Sequence, residues 1–170
     1  MSEIQEIELT LVEQTALDGA NYFRQGLNCT ECVLMSFRDN CNPEIPMEAF
    51  AMCTGFGGGF ANTRNHTCGA ITGAIMAYGS IIGRKNPFAK EEMRDKITEL
   101  HGIYHTMEPM IREMEAEFGD NFICKDLSAV HGDFEGKARK RNCMQMVKFC
   151  SGVAAKYAEL AKKEQGDCIE

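Results

Sequence analysis

Thr67-Cys68-Gly69-Ala70-Ile71-Thr72-Gly73-Ala74-Ile75-Met76-Ala77 decides how the rest of the chain is read. Apolar and polar residues do not alternate in it, so it is not a half-buried strand. The spacing predicts a helix of small residues, with Thr67 as its N-cap. Gly69 and Gly73 then share one face. A glycine inside a helix costs up to about 1 kcal/mol against alanine. Two on one face therefore indicate a neighbour that packs very close.

Upstream, Gly55-Phe56-Gly57-Gly58-Gly59-Phe60 must be a loop or a break. Asn42-Pro43 marks a turn, and Pro46 suits the first turn of a short helix running to about Thr54. Asn28 is an N-cap candidate for Cys29-Thr30-Glu31-Cys32-Val33-Leu34-Met35, with Glu31 placed for a capping box. Leu9, Val12, Ala16, Ala20, Phe23 and Leu27 form one face of an earlier amphipathic helix, and Gly26 weakens its end.

Downstream, Asn86-Pro87 is expected to open the longest helix. Its stripe is Met93, Ile97, Leu100, Tyr104, Met107, Ile111, Met114 and Phe118, and Gly119 stops it. Pro109 predicts a kink or break, and Gly102 is a second weak point. Asn121 is the cap candidate for a short helix holding Cys124 and Leu127, and Ser128 to Gly136 reads as a loop. Asn142 is expected to cap the last helix, whose apolar face carries Cys143, Met146, Val147, Cys150, Ala154, Tyr157 and Ala161. The predicted class is all-α: residues 1–170 as a single bundle-like domain of six or seven helices with no sheet.

The chain has 170 residues, a net charge of −7 and nine cysteines. That length buries roughly 70% of the unfolded surface, so folding needs no disulfides. The acidic balance argues against a nucleic-acid partner. An odd cysteine count excludes a fully paired secreted framework. The acidic start, Met1-Ser2-Glu3-Ile4-Gln5-Glu6, has no apolar signal region, and the apolar run from Ala70 to Ile82 is too short for a membrane span. The expectation is a cytoplasmic protein whose thiols bind metal or do redox chemistry.

The placement of the cysteines sharpens this. Cys29, Cys68 and Cys143 each follow a cap candidate, and Cys124 lies three after Asn121. First-turn positions face unsatisfied N–H groups and the positive end of the helix dipole. That setting favours the thiolate, which is both nucleophile and metal ligand. The four could converge where helix ends meet, with Gly58, Gly59 and Gly69 letting backbone approach a bound group. Cys150 reads as core, and the core reading is favoured for Cys41 and Cys53. Cys168 lies in a polar tail.

Cys29 and Cys32 also form a Cys-x-x-Cys at a helix start, the arrangement of dithiol oxidoreductases, with Cys29 as attacking and Cys32 as resolving thiol. No βαβ context precedes it. His101, His105 and Glu108 give a second metal-face candidate. His66 could donate to a sulfur. Lys137, Arg139, Lys140 and Arg141 crowd before Cys143, where they could lower a thiol pKa or dock an acidic redox partner. The Met residues of the long helix (Met93, Met107, Met110 and Met114) read as core, and they leave a homodimer face open. The glycine loop lacks the Gly-Lys-Ser/Thr of a P-loop and the preceding strand of a dinucleotide fingerprint.

Gly26-Leu27-Asn28-Cys29-Thr30-Glu31-Cys32-Val33, Gly55-Phe56-Gly57-Gly58-Gly59, Cys68-Gly69-Ala70-Ile71-Thr72-Gly73-Ala74, Cys124 and Cys143 occur in that order. Together they resemble the redox-active protein family named for its Cys, Cys-Gly-Ala-x-x-Gly, Cys, Cys pattern, from about residue 14 to residue 160. The resemblance implies a small helical protein with Cys29, Cys68, Cys124 and Cys143 as its characteristic cysteines. It extends to a domain that accompanies split-Soret cytochromes, and so implies a [2Fe–2S] cluster on four thiolates, with electrons passed to a partner protein. Four thiolates also suffice for zinc. Cys32 departs from the pattern, which has a small residue there. The other readings are a thiol–disulfide or peroxide oxidoreductase using Cys29 and Cys32, and a helical interaction module with incidental thiols.

Overall fold

Local chemistry sets the helix starts. The computed structural model describes residues 9–129, 132–133 and 135–167, with side chains to residue 164. Thr10 and Glu13 close a reciprocal capping box at the start of α1 (Leu11–Arg24), and Gly26 turns the chain at φ +97° after it. Asn28 and Glu31 make a second capping box for α2 (Cys29–Asn40), as the sequence predicts. After α3 (Ala49–Cys53) a 3-10 turn covers Thr54–Phe56. Then come α4 (Gly69–Ile82), α5 (Met93–Phe118), α6 (Cys124–Ala129) and α7 (Lys137–Asp167). No strand occurs among the described residues, only an isolated bridge between Thr67 and Ile123. The fold is all-α.

Helices α1, α2, α4 and α7 pack on one another, and α5 lies more lightly against α4 and α7. Val33, Phe37, Ile71, Met110, Met114 and Val147 are fully buried at the centre. The glycine face of α4 has the close neighbour expected of it. A Cβ at Gly73 would stand 2.9 Å from Val33 Cβ and 3.0 Å from the Thr30 carbonyl oxygen. Between α1 and α7, Gly19 makes room for Ser151, whose hydroxyl pairs with Ser36 at 3.0 Å in the core.

Several boundaries differ from expectation, each for a local reason. Thr67 is not the cap of α4. It bridges to Ile123, and Cys68 itself takes the cap position. Pro46 precedes α3 in a turn, its carbonyl accepting from Ala49. Asn86 and Pro87 do not open α5. The Asn86 side chain accepts from Phe88 N–H at 2.9 Å, which makes a separate turn. Helix α5 continues unbroken through Pro109, because Met107, Met110, Ile111 and Met114 hold it to the body on both sides. Its stripe packs only in its C-terminal half, since Met93, Ile97 and Tyr104 are exposed. Asn121 accepts from Ile123 N–H, and α6 starts at Cys124. Ser128 and Ala129 belong to α6 rather than to the loop, and Cys168 lies outside the described residues. Asn142 lies inside α7, which begins five residues earlier, and its amide reaches the Leu127 carbonyl at 3.4 Å.

Candidate thiol pocket

The Asn28 capping box fixes Cys29 as the first residue of α2. Its Oδ1 accepts from Thr30 and Glu31 N–H, both at 3.0 Å. Asn28 Nδ2 also donates to the Thr54 carbonyl at 3.1 Å, which ties the helix start to the glycine segment. That segment turns back on itself left-handed. Gly58, Gly59, Phe60, Ala61 and Asn62 have φ of 61°, 66°, 60°, 46° and 58°. Three backbone bonds close the turn: Ala61 to Gly55 at 2.8 Å, Asn62 to Gly57 at 3.1 Å and Arg64 to Gly58 at 2.9 Å. L-residues in this region are strained. Ala61 is exposed and Gly suits its φ, so Ala61→Gly is expected to raise stability by up to about 1 kcal/mol in urea unfolding, against the usual effect of adding a glycine.

The turn delivers two contacts. Gly58 N–H points at Cys29 Sγ, 3.5 Å away. Gly59 lies against Cys124, where a Cβ would come within 2.7 Å of Cys124 Cβ. Two extended pieces then align the remaining sulfurs. Cys68 N–H donates to the Phe122 carbonyl at 2.8 Å, Cys124 N–H to His66 at 2.9 Å and Lys125 N–H to Arg64 at 2.9 Å. Cys143 is the seventh residue of α7, not in its first turn as expected, because that helix starts at Lys137. One turn earlier on α7, Arg139 Nη1 points at Cys143 Sγ, 3.5 Å away.

Cys29, Cys68, Cys124 and Cys143 all line one pocket of about 160 Å³, together with Gly58, Asn62, Ser128 and Arg139. Gly69 is not in the lining but lies against Cys29, where a Cβ would be 2.7 Å from Cys29 Sγ. The thiols surround a void rather than a point. Among the described residues no three His, Cys, Asp or Glu side chains gather closely enough to hold one metal ion.

The electrostatics overturn one expectation. Burial pushes the Cys29 thiol up, with the Gly58 N–H opposing and Cys143 adding to the rise. Burial and the nearby Cys29 do the same to Cys68. Cys124 is raised to about 11 by burial and by Cys29 and Cys143, against the pull of Arg139 and Arg64. Without a bound group these sulfurs are therefore held as thiols. A helix terminus contributes about 0.3–1 kcal/mol, less than one pKa step of about 1.4 kcal/mol, and desolvation exceeds it.

Cys32 does not line the pocket. It is fully buried, and its Sγ points to the Leu27 carbonyl at 3.4 Å. Cys41, Cys53 and Cys150 are buried in the core. Cys150 is close enough for Cys68 and Cys29 to disfavour its ionisation, though burial is the larger cause. His66 is exposed and its ring stacks on Phe60, with centroids 4.9 Å apart. His105 and Glu108 are 3.4 Å apart, and Glu108 is also paired with Arg112. Sequence reasoning missed Asn62 and Ser128 at the site. The spacing of Arg139 and Cys143 marks their contact once the start of α7 is known.

The buried thiols make the fold sensitive to alkali. Burial raises Cys53 to about 11 from an ordinary 9.0, and Cys150 well above it. The unfolded chain sheds these protons first, so this contribution is full below pH 9 and falls as pH climbs towards 11. The urea midpoint of metal-free protein is expected to drop between those values, and Cys53→Ala should flatten the drop.

A family model described as Putative redox-active protein (C_GCAxxG_C_C) matches residues 27–160. The chain belongs to this family. The C_GCAxxG_C_C label writes Gly-Cys-Ala where this chain reads Cys68-Gly69-Ala70, followed by Gly73 at the fourth position after Gly69. The matched region holds all four pocket cysteines and the glycine turn between them. No curated protein and no solved structure matches the chain. Among the described residues no helix is long and apolar enough to cross a membrane.

Proposed function

We propose that the protein is an electron carrier whose Cys29, Cys68, Cys124 and Cys143 hold an iron–sulfur cluster of the [2Fe–2S] type. The observation that carries this reading is that four thiols from four separate elements line one pocket of about 160 Å³. The donor set fits the group. Iron–sulfur clusters are held by four thiolates and tuned by hydrogen bonds to the sulfurs, and Gly58 N–H and Arg139 already point at two of them. When bound, such a group accepts and releases single electrons. A lone zinc ion would need the four sulfurs to converge on one point, at metal–sulfur distances of about 2.3 Å. The void they enclose favours the larger group.

The chain's own residues then hold, shield and address the cluster. Phe23 and Met146 close the pocket wall with apolar surface. Lys137, Lys140 and Arg141 are exposed on the first turns of α7 and offer cationic charge on the helix that carries Cys143. The redox partner presents an acidic face to it, and their encounter weakens with salt. The dithiol reading is less favoured, because Cys32 faces the Leu27 carbonyl and not the pocket.

Anaerobic reconstitution with iron and sulfide tests the proposal. The expected product absorbs in the visible and carries about two irons per chain. A colourless, iron-free chain after that treatment would falsify it.

A further inference from the structure

Thr30 is fully buried, and its hydroxyl oxygen has no hydrogen-bond partner. Such a group bears its whole desolvation penalty, which makes its persistence in a core informative. Its position supplies a reason. The Cβ that Gly69 lacks would lie 2.7 Å from Thr30 Oγ1 and 2.7 Å from Cys29 Sγ. Hydroxyl and sulfur thus flank the same gap, and the bare Cα of Gly69 leaves it open. A neutral thiol is a weak acceptor. A metal-bound or ionised sulfur is a strong one. Gly58 N–H approaches the same sulfur from the glycine turn.

We propose that Thr30 is a positioning residue for the pocket: its hydroxyl donates to the Cys29 sulfur when that sulfur carries negative charge, and so raises the reduction potential of the bound group. The inference rests on the cluster reading above. An added electron spreads onto the ligating sulfurs, so a donor to one of them stabilises the reduced state more than the oxidised state. Gly58 and Arg139 already point at their sulfurs, whereas the Thr30 hydroxyl is uncommitted.

Thr30→Val and Thr30→Ser separate the hydroxyl from the packing of the side chain. In metal-free protein, Thr30→Val removes an unpartnered polar atom at nearly constant shape. Its Tm is expected to rise by about 2–4 °C. A fall of several degrees would show that the hydroxyl is bonded elsewhere, and would overturn the proposal. In reconstituted protein, Thr30→Val should lower the midpoint potential while Thr30→Ser stays near wild type. An unchanged potential in Thr30→Val, or an equal shift in both variants, would remove the role of Thr30 and leave the cluster reading intact. Wild-type protein that takes up no iron would remove that reading first, before any variant is compared. If Thr30→Val does not fold, Thr30→Ala set against Thr30→Ser gives the same comparison.

Discussion

Cys68→Ser protein, reconstituted anaerobically with iron and sulfide, is expected to lose the visible absorption of the wild type and retain almost no iron after desalting. Cys68 lines the pocket, and its backbone is pinned by the bond from its N–H to Phe122. A serine oxygen there is shorter and harder than sulfur and is a poor substitute in a thiolate site. Cys124→Ser should behave alike, since Gly59 presses its side chain into place. Cys41→Ala is the control: it is buried in the core, outside the pocket lining, and should keep full iron uptake at some cost in stability. Equal uptake by Cys68→Ser and wild type would show that the pocket thiols are not the ligands.

Gly73→Val is expected to destabilise the chain by about 3 kcal/mol or more, a large fraction of the roughly 5–15 kcal/mol that holds a domain folded. Its first added carbon would meet Val33 Cβ at 2.9 Å and the Thr30 carbonyl at 3.0 Å. The carbonyl belongs to the backbone of α2 and cannot step aside, so α2 and α4 must separate. Gly102→Ala should do the opposite. It stands in α5 with nothing within 4 Å of the added carbon, so the gain in helix propensity of up to about 1 kcal/mol is unopposed. Urea unfolding of the two variants reads both signs. Similar midpoints would show that the α2–α4 approach is not as tight as described.

The contrast between these glycines marks what the chain discloses before folding. That Gly69 and Gly73 need a close neighbour is legible, because glycine on a helix face has few other reasons to persist. That Gly102 needs none is not, because an identical residue in a similar pattern differs only in what lies opposite. The capping residues divide the same way. Asn28 and Glu31 form their box because both partners lie within one turn. Thr67 and Asn142 have suitable side chains, but distant partners, Ile123 and Leu127, draw them elsewhere. The four pocket thiols are legible as a set, yet the first-turn placement holds only for Cys29 and Cys124, since Cys68 is the cap of α4 and Cys143 lies further along its helix. It reaches the pocket from the second turn of α7, beside Arg139. Helix α5 does not break at Pro109 because apolar burial on both sides outweighs one lost backbone bond. The thiolate character expected at helix starts failed because burial is invisible in local sequence.

The turn at residues 58–62 has a stereochemical consequence. Five successive residues there have φ between 46° and 66°, the sign that L-residues avoid, and three of them, Phe60, Ala61 and Asn62, carry side chains. This short arc therefore suits the opposite enantiomer. A chemically assembled chain with D-alanine at position 61 should fold at least as well as the all-L protein, whereas the same exchange within α4 would break its helix. Position 61, exposed on the turn that cradles the thiol pocket, is thus a place in the molecule where handedness can be inverted.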